Sequence, residues 1–172
     1  MIRKILYISL FCLISQFSFA AGSDSSSDTD NYLDQYKSAK NLVIRGKKLE
    51  KKGKNEKAMK LYNSAYQKLL EANKIERRNP DILNYLGFTL RKMGKYDQAE
   101  KYYLQGLKIK PDHNGINEYL GELYIKTNRK DKAKERLAVL KECNCKEYGE
   151  LKALMGNSLK ITGELKVLMG NN

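Results

Sequence analysis

The 172-residue sequence predicts an all-α fold: a right-handed solenoid of about three helix-turn-helix units, followed by a C-terminal capping helix. The pair Leu86-Gly87 recurs 34 residues later as Leu120-Gly121, and the step from Ala99 to Ala133 repeats this offset. In addition, a count of only 2 prolines and an apolar content of 41% suit helices better than strands. Because one helix pair cannot bury its apolar face alone, such a period predicts units that stack on one another.

The N-terminal segment has the layout of a secretory signal peptide. A short basic start precedes an almost wholly apolar stretch from Ile5 to Phe19, and small residues around Ala20 supply a cleavage signal. We therefore expect residues 1–20 to be removed and the mature protein to be exported to the periplasm. Residues 21–30, rich in Ser, Asp and Gly, are expected to form a disordered lead-in because they are too polar to repay the entropy of ordering.

The repeating part of the chain is predicted to span residues 31–145. Pro80 and Pro111 mark entries into new units, because proline needs no hydrogen-bonded N–H in the first helical turn. The three units are placed at about 39–79, 80–113 and 114–145. Their helices are expected near 31–52, 55–77, 81–93, 96–109, 115–127 and 130–142.

The first unit is predicted to be seven residues longer than the second. Gly46 precedes Gly87 by 41 residues, and Ala58 precedes Ala99 by the same distance. The extra residues are expected to lengthen the second helix of this unit by a turn or two, before Pro80 excludes helix at the residue that precedes it.

Several sequence blocks point to a known repeat family. The stretches Leu83–Leu90 and Ala99–Tyr103, followed by Pro111, resemble the tetratricopeptide repeat pattern. More narrowly, residues 80–154 resemble a family of exported tetratricopeptide-repeat proteins of alphaproteobacteria. The blocks that carry this narrower resemblance are Asn84–Phe88, Pro111–Gly115, Glu118–Tyr124 and Cys143–Tyr148. The resemblance implies a protein-binding module and names no substrate.

The resemblance also implies a binding groove, because the first helix of each unit in such repeats lines a concave face. The positions expected to face this groove are Lys40, Val43, Lys47, Lys51, Asn84, Phe88, Arg91, Lys92, Glu118, Glu122, Ile125 and Lys126. Asn84 would bond a peptide backbone, Phe88 would offer an apolar contact, and Arg91 and Lys92 would pair with a carboxylate. The predicted function is a monomeric, non-catalytic scaffold in the periplasm that binds a peptide or protein partner.

The net charge of +13 raises a second hypothesis. A strongly basic chain invites a nucleic-acid or anionic-membrane partner. The basic residues are nevertheless spread along exposed helical positions, which is typical of a solvated face, and we predict no nucleic-acid partner. The alternative function is an envelope-associated structural protein whose basic face and amphipathic tail rest on an anionic membrane surface.

Enzymatic function has little support in the sequence. The chain has a single histidine, His113, expected to be a capping or solvated residue, and its serines cluster near the N-terminus. Nucleophilic catalysis needs a positioned nucleophile beside a base, and a metal site needs several ligands at suitable spacing. We predict that the protein is not an enzyme and uses neither cofactor nor metal.

Two cysteines remain after signal-peptide removal, Cys143 and Cys145. In an oxidising compartment an even number of cysteines allows a disulfide. Three hypotheses stay open: a local disulfide that closes the last repeat helix, which we rank first; free thiols or an intermolecular bridge; and a redox or soft-metal site. In the family that the chain resembles, about three residues usually separate the pair, whereas only Asn144 intervenes here.

The C-terminal segment, residues 146–172, contains a second kind of repeat. Gly149–Asn157 recurs as Gly163–Asn171, 14 residues later, with one difference. We expect the first copy to cap the solenoid and the second to be a tolerated duplication; the alternative is an added amphipathic helix that recruits a partner or membrane. Gly156-Asn157 indicates a helix end between the copies.

Overall fold

A computed structural model describes the backbone of residues 25–170 and the side chains of residues 31–158 and 160. The predicted signal peptide lies outside the described residues. Within the described backbone there are seven helices and no strand: α1 (Ser25–Lys51), α2 (Asn55–Ile75), α3 (Pro80–Lys92), α4 (Tyr96–Ile109), α5 (Asn114–Lys126), α6 (Lys130–Leu140) and α7 (Lys146–Gly170). The predicted all-α helical-repeat fold is thus confirmed.

The helices pack as three successive hairpins. α1 pairs with α2, α3 with α4 and α5 with α6; each hairpin also contacts the next, and α7 packs on α5 and α6. The helix bounds agree with prediction to within a few residues except at the start. There α1 begins at Ser25, so residues 25–30 are helical and not a disordered lead-in. Serine and aspartate favour helix starts, where they can bond free N–H groups.

Helix α2 contains the whole length difference between the first two units. It has 21 residues, whereas α4 has 14, a difference of seven. Both helices start two residues after a turn glycine, Gly53 or Gly94, and both are followed by connections of four residues. The seven additional residues therefore lengthen α2 and leave the lengths of the neighbouring connections unchanged.

A glycine faces a large buried side chain in each hairpin. A Cβ atom at Gly46 would lie 2.5 Å from Cε1 of Tyr62, and a Cβ atom at Gly87 would overlap the ring of Tyr103. Both tyrosines are buried. In the third hairpin the residue that closes on Gly121 is Leu151 of α7. The terminal helix thus replaces the aromatic wedge of the earlier units.

Helix α7 continues without a break from Lys146 to Gly170, which corrects the helix end predicted at Gly156-Asn157. Neither residue has the positive φ of a left-handed helix terminus. Leu151 is fully buried and Met155 is 9% exposed, so packing on the solenoid outweighs the weak local preference of Gly and Asn. Among the helices that the structure describes, none has the length and apolar character needed to cross a membrane.

Candidate functional site

Three first helices, α1, α3 and α5, lie side by side and form one face of the solenoid. An aromatic cluster occupies its centre. The ring centroids of Phe88 and Tyr119 lie 5.1 Å apart, and Tyr62 meets Phe88 edge-on at 5.6 Å. Phe88 is only 1% exposed. Its ring therefore forms the floor of this face and cannot offer the open apolar contact expected from the sequence.

Basic side chains cover the aromatic cluster. Lys47 Nζ lies 5.4 Å from the Phe88 ring centroid and 3.3 Å from the Tyr119 hydroxyl, to which it donates a hydrogen bond. The Arg91 guanidinium lies 5.4 Å from the Tyr119 centroid. Cations are attracted to ring faces, so this layer divides the face into two recesses.

The first recess, here called the Arg91 pocket, has a volume of about 380 Å³. Its lining residues are Glu50, Arg91, Lys92, Tyr96, Glu122, Ile125, Lys126 and Leu154. Arg91 forms an ion pair with Glu122, and Lys92 Nζ lies 2.8 Å from Glu50. The Tyr62 hydroxyl also donates to Glu50 at 2.9 Å.

Arg91 and Lys92 are thus paired with carboxylates of the chain itself, and Lys126 is the remaining charged residue of the lining. Burial alone would raise the pKa of Glu50, but hydrogen bonds from Lys92 and Tyr62 outweigh burial and lower it. Arg91 is 11% exposed and also interacts with the buried Tyr103 hydroxyl. The expectation that Arg91 and Lys92 stand ready for a ligand carboxylate is corrected, because carboxylates of this chain already pair with them.

The second recess, here called the His113 cavity, is larger, at about 580 Å³. Its wall combines α1, α3, α5, the turn before α5, and the first residues of α7. The side chains that line it include Tyr36, Lys40, Asp81, Asn84, Tyr85, Lys110, Asp112, His113, Glu118, Tyr119, Lys146 and Glu147.

The sequence blocks that carry the narrower resemblance converge on this cavity. Asn84–Phe88, Pro111–Gly115, Glu118–Tyr124 and Cys143–Tyr148 each contribute lining residues. Sequence analysis missed most of these side chains as site residues, because they lie at helix starts and in a turn, away from the positions counted along each helix. The blocks themselves were the signal that could have located them.

Asn84 is a buried polar residue in the wall of the His113 cavity. It is 6% exposed, and its Oδ1 atom has no hydrogen-bond partner. Buried polar groups are nearly always paired, so an unpaired carbonyl on a residue that lines a cavity indicates a place where a side-chain rotation would admit an external donor. That Asn84 bonds a peptide backbone stays a prediction.

Glu118 is the most buried carboxyl group of the cavity, at 3% exposure. Burial above all, together with the hydrogen bond to Glu150 and the nearby charges of Glu122 and Glu147, raises its pKa to about 9. The same hydrogen bond lowers the pKa of Glu150. The two carboxyls therefore share one proton at neutral pH, held on Glu118.

His113 is fixed in one tautomer at the mouth of the cavity. Its Nδ1 atom accepts a hydrogen bond from the Ile116 N–H at 3.2 Å, as a cap of α5. The ring proton must then lie on Nε2, which faces Asp81 Oδ1 at 3.1 Å and donates to it. His113 therefore has the capping role expected from the sequence.

The other predicted groove residues fall around these recesses. Val43 is in the core. Lys51 is exposed at the end of α1, where its charge helps to lower the pKa of Glu150. Ile125 and Lys126 line the Arg91 pocket, whereas Lys40 is exposed at the mouth of the His113 cavity. The groove predicted as one surface is therefore two separate recesses.

A disulfide joins Cys143 and Cys145 across Asn144, with a Cα–Cα distance of 5.2 Å. Asn144 has a left-handed backbone, with φ of 47°. The loop connects α6 with Lys146 and Glu147, so the clip lies at the edge of the His113 cavity. Across the described part of the chain, no three His, Cys, Asp or Glu side chains are grouped so that they could hold a metal.

Comparison with known proteins supports the repeat assignment. The tetratricopeptide repeat family matches residues 80–113, the hairpin of α3 and α4. The protein O-mannosyl-transferase TMTC3 of Homo sapiens is 29% identical over 80 residues, which cover 46% of this chain and 9% of that protein. Its Mus musculus counterpart is 29% identical over 72 residues, covering 42% and 8% of the two chains. This chain thus aligns with less than a tenth of either relative.

A solved structure, the crystal structure of MamA, is similar with a TM-score of 0.41 and 17% identity, covering 79% of this chain and 94% of that chain. The repeat match supports a tetratricopeptide-type protein-interaction scaffold. The narrower resemblance to an exported alphaproteobacterial family stays a prediction.

Proposed function

We propose that this protein is a non-catalytic scaffold that binds an extended segment of a protein partner on the face formed by α1, α3 and α5. The His113 cavity is the main contact. The observation that carries this proposal is the unpaired, buried Asn84 carbonyl, set in a cavity wall to which all three first helices contribute.

The two recesses suit different roles. In the Arg91 pocket a ligand carboxylate would compete with Glu50 and Glu122 for cations that are already paired. In the His113 cavity, a donor from a partner would satisfy Asn84 without breaking any bond. Binding therefore costs less at the His113 cavity, and the Arg91 pocket holds the repeats together.

The proposed compartment is the periplasm, to which the signal-like segment Ile5 to Phe19 would direct the chain. A disulfide between Cys143 and Cys145 fits an oxidising compartment. Fractionation of cells that express the full chain tests this: we expect a shortened form in the periplasmic fraction and no free thiol in it. Full-length protein in the cytosol, with two reactive thiols, would contradict the proposal.

Site-directed crosslinking tests the binding face. A photo-crosslinking residue replaces Lys40, exposed at the mouth of the His113 cavity, or Lys101, which is exposed on α4 and serves as the matched control. We expect a discrete crosslinked product in native envelopes from position 40 and not from position 101. Equal products from both positions, or none from position 40, would argue against this face.

Liposome co-sedimentation tests the membrane alternative in parallel. The first copy of the duplicated segment already buries Leu151 and Met155 on the solenoid, so less of its apolar face is open to lipid. We expect no pelleting with anionic vesicles at physiological salt. Pelleting that disappears as salt rises would favour the charged-surface function.

A further inference from the structure

We propose that the His113 cavity recognises a primary ammonium group, presented by a partner's N-terminus or by one of its lysine side chains. This inference rests on the function proposed above and names the chemistry of its main contact.

The most buried polar groups of the cavity are Asn84 and Glu118. Asn84 offers an unpaired carbonyl oxygen, and Glu118 offers a carboxyl group that is 3% exposed. Both residues line the cavity and carry oxygen acceptors, and a rotation of the Asn84 side chain would bring its buried Oδ1 atom to an entering group. An ammonium group brings three donors and no acceptor, which matches this arrangement.

The lysines that line the cavity lie at its exposed edge and not beside the buried acceptors. Lys40, Lys110 and Lys146 are all exposed, and water screens their charge. The helix starts nearby do not attract an anion either, because Asn79 caps α3 and His113 caps α5 through hydrogen bonds to free N–H groups. None of these three exposed lysines is fixed at the deep acceptors, and Lys47, which acts on Glu150, is held by its hydrogen bond to the Tyr119 hydroxyl.

Two tyrosines, Tyr36 and Tyr85, form part of the cavity wall. Tyr36 and Tyr85 meet edge-on with centroids 5.8 Å apart. Phe88 and Tyr119 are already covered by Lys47 and Arg91, but no lysine or arginine of residues 31–158 lies over Tyr36 or Tyr85. Cations of the chain thus occupy the rings of Phe88 and Tyr119, whereas the rings of Tyr36 and Tyr85 remain for a cation of the ligand.

Glu118 would link this binding to pH. Its neighbours are Glu122 and Tyr119 on α5 and Glu147 and Glu150 on α7. Lys146, Lys47 and Lys51 act on Glu150. An ammonium beside Glu118 favours its ionised form, so binding releases the proton that the empty cavity holds.

Nuclear magnetic resonance titration of the ¹⁵N-labelled protein tests the inference with three probes. Triglycine amide has an α-ammonium, Nα-acetyl-lysine amide has a side-chain ammonium, and acetyl-triglycine amide has neither. We expect one or both ammonium probes to shift amide signals of cavity residues, and Glu118→Gln to weaken the binding of these probes. The control Lys101→Gln, on the opposite side of the hairpin, should leave them unchanged.

The pH dependence distinguishes the two ammonium sources. Affinity for Nα-acetyl-lysine amide should rise between pH 6 and pH 9 by up to about tenfold per pH unit, the limit for one released proton. With triglycine amide the rise should end near pH 8, where an α-amino group loses its own charge. Neither rise should occur in Glu118→Gln, whose far-ultraviolet circular dichroism verifies that the variant folds.

Two results would overturn the inference: equal shifts with acetyl-triglycine amide, or no shift with any probe up to tens of millimolar. Neither would remove the proposed scaffold function, which depends on crosslinking from position 40. Conversely, crosslinks that do not distinguish position 40 from position 101 would remove the scaffold function, whatever the probes show.

Discussion

The Arg91 pocket and the His113 cavity lie on one face of one solenoid, yet their carboxyl groups have different partners. In the Arg91 pocket the buried guanidinium has a carboxylate partner, and Lys92 has another. In the His113 cavity the buried carbonyl of Asn84 is unpaired, and Glu118 is packed among other carboxyls. We infer that the ion pairs of Arg91 and Lys92 stabilise the stack of hairpins, whereas the uncharged groups of Asn84 and Glu118 are available to a ligand.

The largest effect should come from the Arg91 pocket. Arg91→Ala removes a buried cation and leaves Glu122 without its counterion, which should lower the free energy of unfolding by about 3 kcal/mol. Lys126→Ala, an exposed change in the same pocket, should alter it by less than about 0.5 kcal/mol. Urea denaturation measures both. Similar losses in the two variants would mean that the Arg91 pocket is not a structural element.

Substitutions of Gly87 and Gly121 compare how tightly the central hairpin and the terminal helix are packed. Gly87→Ala places a methyl group against the fully buried ring of Tyr103, and such overpacking costs about 1–3 kcal/mol. Gly121→Ala meets only the tip of the Leu151 side chain, which can change rotamer. The melting temperature should therefore fall further in Gly87→Ala. A larger fall in Gly121→Ala would show that the cap is more rigid than the central hairpin.

The pH dependence of stability tests the His113 cavity. Folded Glu118 keeps its proton up to a pKa of about 9, whereas the unfolded chain loses it near the usual value of 4.5. Between these values the folded state binds more protons, so the free energy of unfolding should fall as pH rises. From pH 7 to pH 8 the fall should be at most about 1.4 kcal/mol, the limit for one proton.

Glu118→Gln should remove most of this fall, because glutamine stays uncharged. Thermal unfolding of both proteins from pH 5 to pH 9 compares them directly. Parallel curves would show that Glu118 is ionised in the folded protein.

The smallest effect compares two buried asparagines. Asn84→Leu removes an unpaired carbonyl and should raise the free energy of unfolding by about 1 kcal/mol while weakening partner binding. Asn117 is the matched control, since its side chain donates to Pro111 O at 2.9 Å and to His113 O at 3.1 Å. Asn117→Leu should therefore destabilise the protein. Losses of stability in both variants would mean that Asn84 is paired in solution.

Sequence periodicity predicted the first two hairpins well because Gly46 and Tyr62 are 16 residues apart, as are Gly87 and Tyr103. The third hairpin followed from the recurrence of Leu86-Gly87 as Leu120-Gly121. Periodicity also gave the additional length of α2, because Gly46 and Ala58 each precede their counterparts Gly87 and Ala99 by 41 residues and not by 34. It could not predict that Arg91 pairs with Glu122, because a repeat pattern gives the face of a helix and not which facing charges meet.

The repeat pattern also could not predict that Glu118 is buried among other carboxyl groups. Helix α7 lies outside the repeats, and its residues Glu147 and Glu150 approach Glu118 only after the chain turns at the Cys143–Cys145 loop. Local signals at Gly156 also misplaced the end of this helix, because long-range packing of Leu151 and Met155 decides it.

The length of α2 has a geometric consequence for how this chain can vary. Each residue rotates an α-helix by about 100°, so seven residues complete two rotations with a shortfall of only about 20°. The seven additional residues of α2 therefore move its end along the axis but leave the exit direction almost unchanged, and the same four-residue connection still delivers α3 to its place. An insertion of five residues would have pointed the chain away from the stack. The duplication in α7 has an offset of 14 residues, twice this number, so both length changes in this protein conserve angular phase.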